Sequence, residues 1–477
     1  MQRTGRRILI NTSALASSSL WRIATSFALQ LVIARALGVT GLGQYTIALA
    51  YLNVCQILTE LGLPAMLVRD LAQMPWLRRS YYYRALSIQI VASLLVWGGL
   101  IAVTALLPLP PATRMILWIV GASLPFYAIT SATQTLFQAG ERMEVVMGIE
   151  VLINTAILGI SLGVIQWGGT TYHLAMVLVI TQLISAILGV ILLARSQLLA
   201  EPQTQVAWQW SMLWRRSGPF YVLALADVLL QRADIVLLSI VAGESVTGLY
   251  GAAYNLVRVA FKLVQNFWGA LYPTLSRLHH QVPVHYRRLG NFSLRYGLLT
   301  LLAAAAIGAG VAQDVLHLIY GANYAEAVLV LQILLWSAPI YLLENFAQTL
   351  LMIEQRPLQS LLITGLHLGV LVLLLPLLAT ALAAPGAAWA ALIAGGMGGL
   401  SSLYLLRRWR MPGAITYPWL VLLLSGGTCL LALWLPVTWP WRILLCSLLY
   451  LLAAWSTRLV TPQDWQLVRR VVLNKEL

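Results

Sequence analysis

Long apolar runs alternate with short polar or Pro/Gly breaks from one end of the chain to the other. A helix needs roughly 20 mainly apolar residues to cross a hydrocarbon core. On that measure the pattern predicts about fourteen transmembrane helices, at 12–34, 42–63, 85–107, 114–137, 145–167, 172–194, 217–241, 246–273, 289–312, 326–350, 358–380, 385–406, 414–436 and 440–458. The expected fold class is an all-α polytopic membrane protein. Basic residues then orient it. One set of alternate loops holds 22 Lys and Arg, from Arg3, Arg6 and Arg7 at the start to Arg458, Arg469, Arg470 and Lys475 at the end. The opposite set holds three, Arg35, Arg114 and Arg442, and five lie inside spans. Cytoplasmic loops carry the excess of Lys and Arg. Both termini are therefore expected in the cytoplasm, with the chain in an inner membrane and the number of spans even.

Composition supports the same picture. The 477 residues are 60 % hydrophobic and 9 % charged, where a soluble domain carries about 25 % charged residues. The net charge of +15 does not point to nucleic acid, because the charges form short clusters beside apolar spans and not one basic face. Cys55, Cys429 and Cys446 lie in apolar runs without metal or disulfide spacing, and no cofactor is implied. The basic start, Met1 to Arg7, leads into an apolar stretch too short for a signal peptide, so a retained first helix is expected. No loop exceeds about 25 residues, which leaves no room for a soluble catalytic domain. Trp76, Trp167, Trp439 and Trp441 at span ends read as an interfacial belt.

The chain also repeats itself. Gly43-Gln44-Tyr45 with Ala48, near the start of the second span, is matched 205 residues on by Gly248-Leu249-Tyr250 with Ala253, near the start of the eighth. Ala139-Gly140-Glu141-Arg142-Met143 is matched 214 residues on by Ile353-Glu354-Gln355-Arg356-Pro357. Both offsets approximate a six-helix unit. They predict two six-helix lobes, 1–200 and 201–410, followed by two extra helices and a cytoplasmic tail in 411–477. Six is even, so the lobes are parallel repeats, with a substrate site expected between them. The alternative is that small-Tyr and Glu-Arg turns recur by chance.

Polar residues inside the spans fall in stripes. Ser18, Arg22, Ser26 and Gln30 recur every four residues in the first span; Asn53, Gln56 and Glu60 line the second; Asp227, Gln231 and Asp234, with Arg232 beside them, line the seventh; and Asn255, Arg258, Lys262 and Gln265 line the eighth. Such spacings place each set on one helix face. A charge at mid-bilayer costs about 3 kcal/mol on insertion scales, so these faces are expected to meet one another or a water-filled cleft. Arg258 and Lys262 are like charges one turn apart, which repel, and no acid follows on that helix. They and Arg22 are the candidate anion-binding residues; the bland alternative is pairing with an acid such as Glu344 or Asp234. Asp227, Arg232 and Asp234 read first as a buried structural pair or triad. With Glu60, Gln231 and Asn255 they are also the candidate cavity-lining or ion-coupling residues. Glu60 could pair with Arg69 or be solvated. His279, His280 and His285 in one basic loop read as a solvated surface, not as a metal site.

Ala34-Arg35-Ala36-Leu37-Gly38 leading into Gly43-Gln44-Tyr45, and Gln231-Arg232-Ala233-Asp234 leading into Gly248-Leu249-Tyr250-Gly251-Ala252-Ala253 and Pro273, together resemble the Wzx-type polysaccharide flippases of the multidrug/oligosaccharidyl-lipid/polysaccharide exporter superfamily. The resemblance covers essentially the whole chain. It implies a non-enzymatic transporter that moves polyprenyl-pyrophosphate-linked oligosaccharide across the inner membrane by alternating access. In that setting Arg22, Arg258 and Lys262 would neutralise the pyrophosphate, and the partners would be the anionic lipid-linked oligosaccharide, membrane lipid, and the glycosyltransferases and polymerase of the same pathway. The uncharged last two spans suit a lateral path for the polyprenyl tail and plain lipid exposure equally well. Two other readings stay open. A cation/drug antiporter of the same superfamily would use Asp227 and Asp234. A membrane glycosyltransferase or polymerase would need a large outward loop, and the outward acids Glu244, Asp314 and Glu326 are isolated in the sequence.

Overall fold

The computed structural model describes residues 2–196, 198–199, 210–408, 418–435 and 437–457, with side chains over 21–196, 198–199, 215–408, 423–435 and 437–457. The side chains of Arg3, Arg6, Arg7, Ser18 and Arg410, and the tail with Arg458, Arg469, Arg470 and Lys475, lie outside the described residues. Among the described residues there is no strand. The helices are α1 (Gln2–Glu60), α2 (Leu63–Gln73), α3 (Arg78–Leu106), α4 (Pro111–Gly121), α5 (Leu124–Ala139), α6 (Met143–Gln166), α7 (Thr171–Arg195), α8 (Trp210–Val241), α9 (Gly243–Gln281), α10 (Pro283–Gly310), α11 (Ala312–Tyr320), α12 (Ala327–Leu335), α13 (Ser337–Ile353), α14 (Pro357–Arg408), α15 (Pro418–Trp434) and α16 (Trp439–Ser456).

These helices resolve into the fourteen expected spans. α1 is broken at Gly38, whose φ of 69° and ψ of −167° leave the helical region, and α14 is broken at Ala383, with φ 52° and ψ −130°. Each break replaces a loop by a single residue. Glycine accepts a positive φ without steric cost, whereas an alanine there is strained. Pro385 follows Ala383 closely and needs no donor partner in the first turn of a helix. α4 with α5, and α12 with α13, each make one span, while α2 and α11 are short helices between spans. Nine helical stretches are long and apolar enough to cross a membrane among the described residues. α8 and α9 are as long but more polar, because they carry Asp227, Arg232, Asp234, Arg258 and Lys262. α9 has 39 residues, about 58 Å at 1.5 Å per residue. That exceeds the ~30 Å hydrocarbon core, so one end of α9 must project beyond it.

The chain divides into two compact units, residues 1–255 with 367–390, and residues 256–366 with 391–477. Compactness thus cuts the chain inside α9 and α14, at other places than the repeat does. In the first unit, Leu63, Met66 and Leu71 of α2 pack with Tyr81 and Tyr82 of α3 and Leu136 and Phe137 of α5. α2 therefore buries one face against the spans. In the second unit, Trp268 of α9 stacks near Phe346 of α13, with ring centroids 4.7 Å apart, in a core that includes Leu294, Leu350 and Leu351. The outer faces remain apolar: Leu95, Leu373, Leu377 and Leu451 are exposed, as lipid-facing side chains must be.

The last two helices are not simply surrounded by lipid. Tyr450 of α16 donates to the Leu299 carbonyl of α10 at 3.1 Å, and a Cβ at Gly310 would lie 2.3 Å from Ala432 of α15. Small residues at such crossings let membrane helices approach closely. The opposite faces, with Leu430, Trp434, Leu448 and Trp455, are exposed.

Candidate functional site

The two halves of the shorter repeat meet in the first unit. A Cβ at Gly43 would fall 1.9 Å from the Glu244 carbonyl oxygen, and a Cβ at Gly248 would fall 2.1 Å from that of Val39. Residues 244 and 248 follow 39 and 43 by the same 205 positions, so the contact is reciprocal. Gly251 meets Thr46, its own counterpart at that offset, with Oγ1 at 3.1 Å from the Cβ position. A contact in which residue i touches j while j's equivalent touches i's equivalent is the mark of a local two-fold. The repeat is thus a packing relation between α1 and α9 as well as a sequence likeness. Gln44 donates to Glu244 at 3.0 Å and the Thr113 hydroxyl of α4 donates to the same carboxylate. Glu244 is therefore not an isolated acid. It also sits in the first turn of α9, where the helix dipole favours a negative charge.

Asp227 and Asp234 of α8 sit in different surroundings. Asp227 is exposed and accepts from Gln231 Nε2 at 2.8 Å, one turn on. Asp234 is buried and accepts from Tyr250 Oη at 2.7 Å and from the Ile235 amide at 2.7 Å, while His367 and Arg232 lie within electrostatic range of it. Arg232 is buried as well. The physical reason is directional: i, i+4, i+7 spacing puts Asp227 and Gln231 together, but the carboxylate of Asp234 turns to the phenol that α9 presents. Tyr254 Oη donates to the Gln231 carbonyl at 3.2 Å, and its ring stacks on Tyr250 with centroids 5.8 Å apart. Asn255 is buried, and its Nδ2 meets no acceptor among the described residues.

Glu60 ends α1 and does not pair with Arg69. It accepts from Tyr127 Oη at 2.5 Å and Ser131 Oγ at 3.1 Å, both from α5. Arg69 instead bonds Asp70 at 2.9 Å and sits over the Phe220 ring at 5.3 Å; Arg216 reaches the same Asp70 at 3.4 Å. Arg22 is exposed and lies within electrostatic range of Tyr127.

In the second unit Lys262 Nζ donates to Gln265 Oε1 at 2.7 Å, and Gln265 Nε2 donates to Tyr341 Oη of α13. Phe261 stacks on Tyr341 with centroids 4.4 Å apart. Gln265 thus relays between the ammonium and a phenol that an aromatic neighbour holds still. Arg258, one turn before Lys262, is half-buried. At the projecting end of α9, His279 lies against Tyr286, ring centroids 5.0 Å apart, while His280 and His285 are exposed. Burial pushes the Glu354 carboxyl above its ordinary value of 4.5, and the charges of His279 and Arg356 draw it part of the way back. Outside the second unit's spans, Asp314 is not isolated either: Arg442 approaches it at 3.5 Å.

Sequence reasoning found the stripes but missed the groups that answer them: Tyr127, Ser131, Tyr250, Tyr341, His367 and Thr113. Only Tyr250 carried a signal, through its place in the repeat.

A family model described as polysaccharide biosynthesis protein matches residues 8–279 of this chain. The chain belongs to that family. No curated protein matches it in sequence. Among solved structures it is similar to lipid II flippase MurJ in an inward closed conformation, with a TM-score of 0.72 and 12% identity over 94% of this chain and 98% of the other. It is also similar to a multidrug resistance MATE family transporter of the MOP superfamily, inward-facing, with a TM-score of 0.67 and 11% identity over 82% and 94%. A Vibrio cholerae MATE transporter follows at 0.54, 15% identical over 86% and 99%. The member of the polysaccharide biosynthesis family described here therefore has the fold of the MOP superfamily transporters.

Proposed function

We propose that this protein is a flippase that carries a polyprenyl-pyrophosphate-linked anionic oligosaccharide across the inner membrane by alternating access. Both termini are cytoplasmic in this reading, and the working repeats are 1–200 and 201–410, with 411–477 appended. Arg22, Arg258 and Lys262 attract the diphosphate, in low-dielectric surroundings that strengthen the attraction. The observation that carries the reading is the pair of like charges one turn apart on α9, a helix too polar for lipid, in a family of polysaccharide biosynthesis proteins. The MurJ likeness supports it, because that protein is a lipid II flippase. Glu60, Asp227, Gln231, Arg232, Asp234 and Asn255 are the polar residues through which an ion or proton gradient would act. Glycosyltransferases and a polymerase of the same pathway supply and consume the substrate, and the chain itself is not an enzyme.

The MATE likeness favours one second reading, a cation/drug antiporter that uses Asp227 and Asp234. One experiment separates them. Proteoliposomes are assayed for translocation of a fluorescent polyprenyl-pyrophosphate oligosaccharide and, in parallel, for efflux of a cationic dye. Lipid movement that Arg258→Ala with Lys262→Ala abolishes, in protein that remains folded, is the expected result. Full translocation by that double variant would sink the basic-site assignment, and dye efflux without lipid movement would establish the antiporter.

A further inference from the structure

The segment joining α10 to α12 and the start of α16 border a half-open cavity of about 490 Å³, lined by Gln313, Asp314, His317, Gly321, Tyr324 and Trp439 among others. It lies wholly in the second unit. Its walls are firm. Arg442 of α16 reaches Asp314 at 3.5 Å, and donates to the Gly310 carbonyl at 3.2 Å and to the Val437 carbonyl at 3.1 Å. One guanidinium thereby ties α16 to both sides of the α10–α11 junction and fixes the Asp314 carboxylate. His317 follows Asp314 by three residues on α11, hence on the same face, and is exposed. Gly321 has φ 93° and ψ −179°, a conformation open essentially to glycine alone. Nothing lies within 4 Å of the position its Cβ would take, so the space beside the turn is open. The Trp439 side chain lines the cavity and remains 40% exposed.

We propose that this cavity binds an uncharged sugar ring. A sugar offers an apolar face of C–H groups and a rim of hydroxyls. An indole face suits the first, and a fixed carboxylate, an imidazole and a primary amide suit the second: the carboxylate accepts from hydroxyls, while the imidazole and the amide both donate to and accept from them. A few polar groups converging beside an aromatic wall in a cavity of this size is the usual form of a small-ligand site. With Asp314 already paired to Arg442, the lining offers no Lys or Arg to balance an acidic sugar. An interfacial belt tryptophan would account for Trp439 alone, but not for Asp314, His317 and Gln313 gathered beside it. The segment joins spans nine and ten and holds no Lys or Arg. The charge distribution therefore assigns it to the face opposite the cytoplasm, where a translocated glycan would emerge. That the sugar belongs to the transported cargo rests on the proposed flippase function; the binding itself does not.

The test is saturation-transfer difference NMR on the full chain in nanodiscs, free of sugar-based detergent. The probes are glucose, galactose and N-acetylglucosamine disaccharides, with glucuronic acid as the charged control. Saturable transfer from at least one neutral disaccharide, with glucuronic acid about tenfold weaker, is expected. Trp439→Leu and His317→Ala should each weaken binding about tenfold, without a change in Tm. No saturable binding of any neutral sugar, or binding that both folded variants leave unchanged, overturns the proposal. Sugar binding in a protein that moves no lipid-linked oligosaccharide removes the flippase reading and leaves this site standing. Translocation dependent on Arg258 and Lys262, with no sugar binding here, does the reverse.

Discussion

Alanine at Gly43 would place a methyl carbon 1.9 Å from the Glu244 carbonyl oxygen and 2.8 Å from the carbonyl carbon. Close carbon–oxygen contacts in proteins begin at about 3.3 Å, so the methyl falls roughly 1.4 Å short of an allowed distance. The obstacle is backbone on both sides, which cannot rotate away as a side chain would, so α1 and α9 must part. Overpacking of this kind costs about 1–3 kcal/mol. Alanine at Gly248 meets the Val39 carbonyl at 2.1 Å and should cost a similar amount. The reciprocal geometry adds a sharper expectation. Both methyls push the same two helices apart, so once one has done so the second finds part of its space already open. The double variant should therefore lose less than the sum of the single losses, with a coupling of about 1 kcal/mol or more. Thermal unfolding of the four proteins in one detergent measures this, with Gly98→Ala as control. Nothing lies within 4 Å of a Cβ at Gly98, and alanine is the better helix former by about 0.5–1 kcal/mol, so the control should be neutral or stabilising. If Gly43→Ala and Gly248→Ala unfold no earlier than Gly98→Ala, the reciprocal contact does not exist as described.

Two further expectations concern single side chains. Tyr250→Phe removes the phenol that Asp234 accepts from and leaves it the Ile235 amide; a loss of about 1–3 kcal/mol is expected for a buried carboxylate so stripped, and an unchanged Tm would refute the bond's importance. Glu354→Gln should show a pH-dependent difference from the parent protein. The folded carboxyl holds its proton to higher pH than the unfolded one, so its favourable contribution is complete below the unfolded value and is lost as pH rises through the folded one. The Tm of Glu354→Gln relative to the parent should accordingly climb as pH rises above about 4.5 and then level off, and a difference independent of pH would count against the buried carboxyl.

What the sequence could and could not reveal follows from the range of each interaction. The fourteen spans were legible because bilayer thickness demands a run of apolar residues, and such a run is a local property. The stripes on α1, α8 and α9 were legible for the same reason: helical spacing alone decides that Asp227 and Gln231 share a face. The answering groups were not. Tyr127 and Tyr341 stand in apolar spans, where a tyrosine looks like any other large side chain, and only folding shows that their hydroxyls meet Glu60 and Gln265. Neutral partners leave no charge to match, so charge alone points from Asp234 to the neighbouring Arg232 and says nothing of a phenol 16 residues away. Glu244 illustrates the same limit from the other direction. It looked isolated because Gln44 and Thr113 are uncharged, yet the repeat held the clue, since position 244 is the counterpart of Val39, the residue that meets Gly248. A short repeated motif in a membrane protein is therefore worth reading as a candidate contact between its own copies. Small residues recurring at one offset are what a close helix crossing requires, and no other local demand places glycine at both 43 and 248 inside helices, where each weakens the helix that contains it.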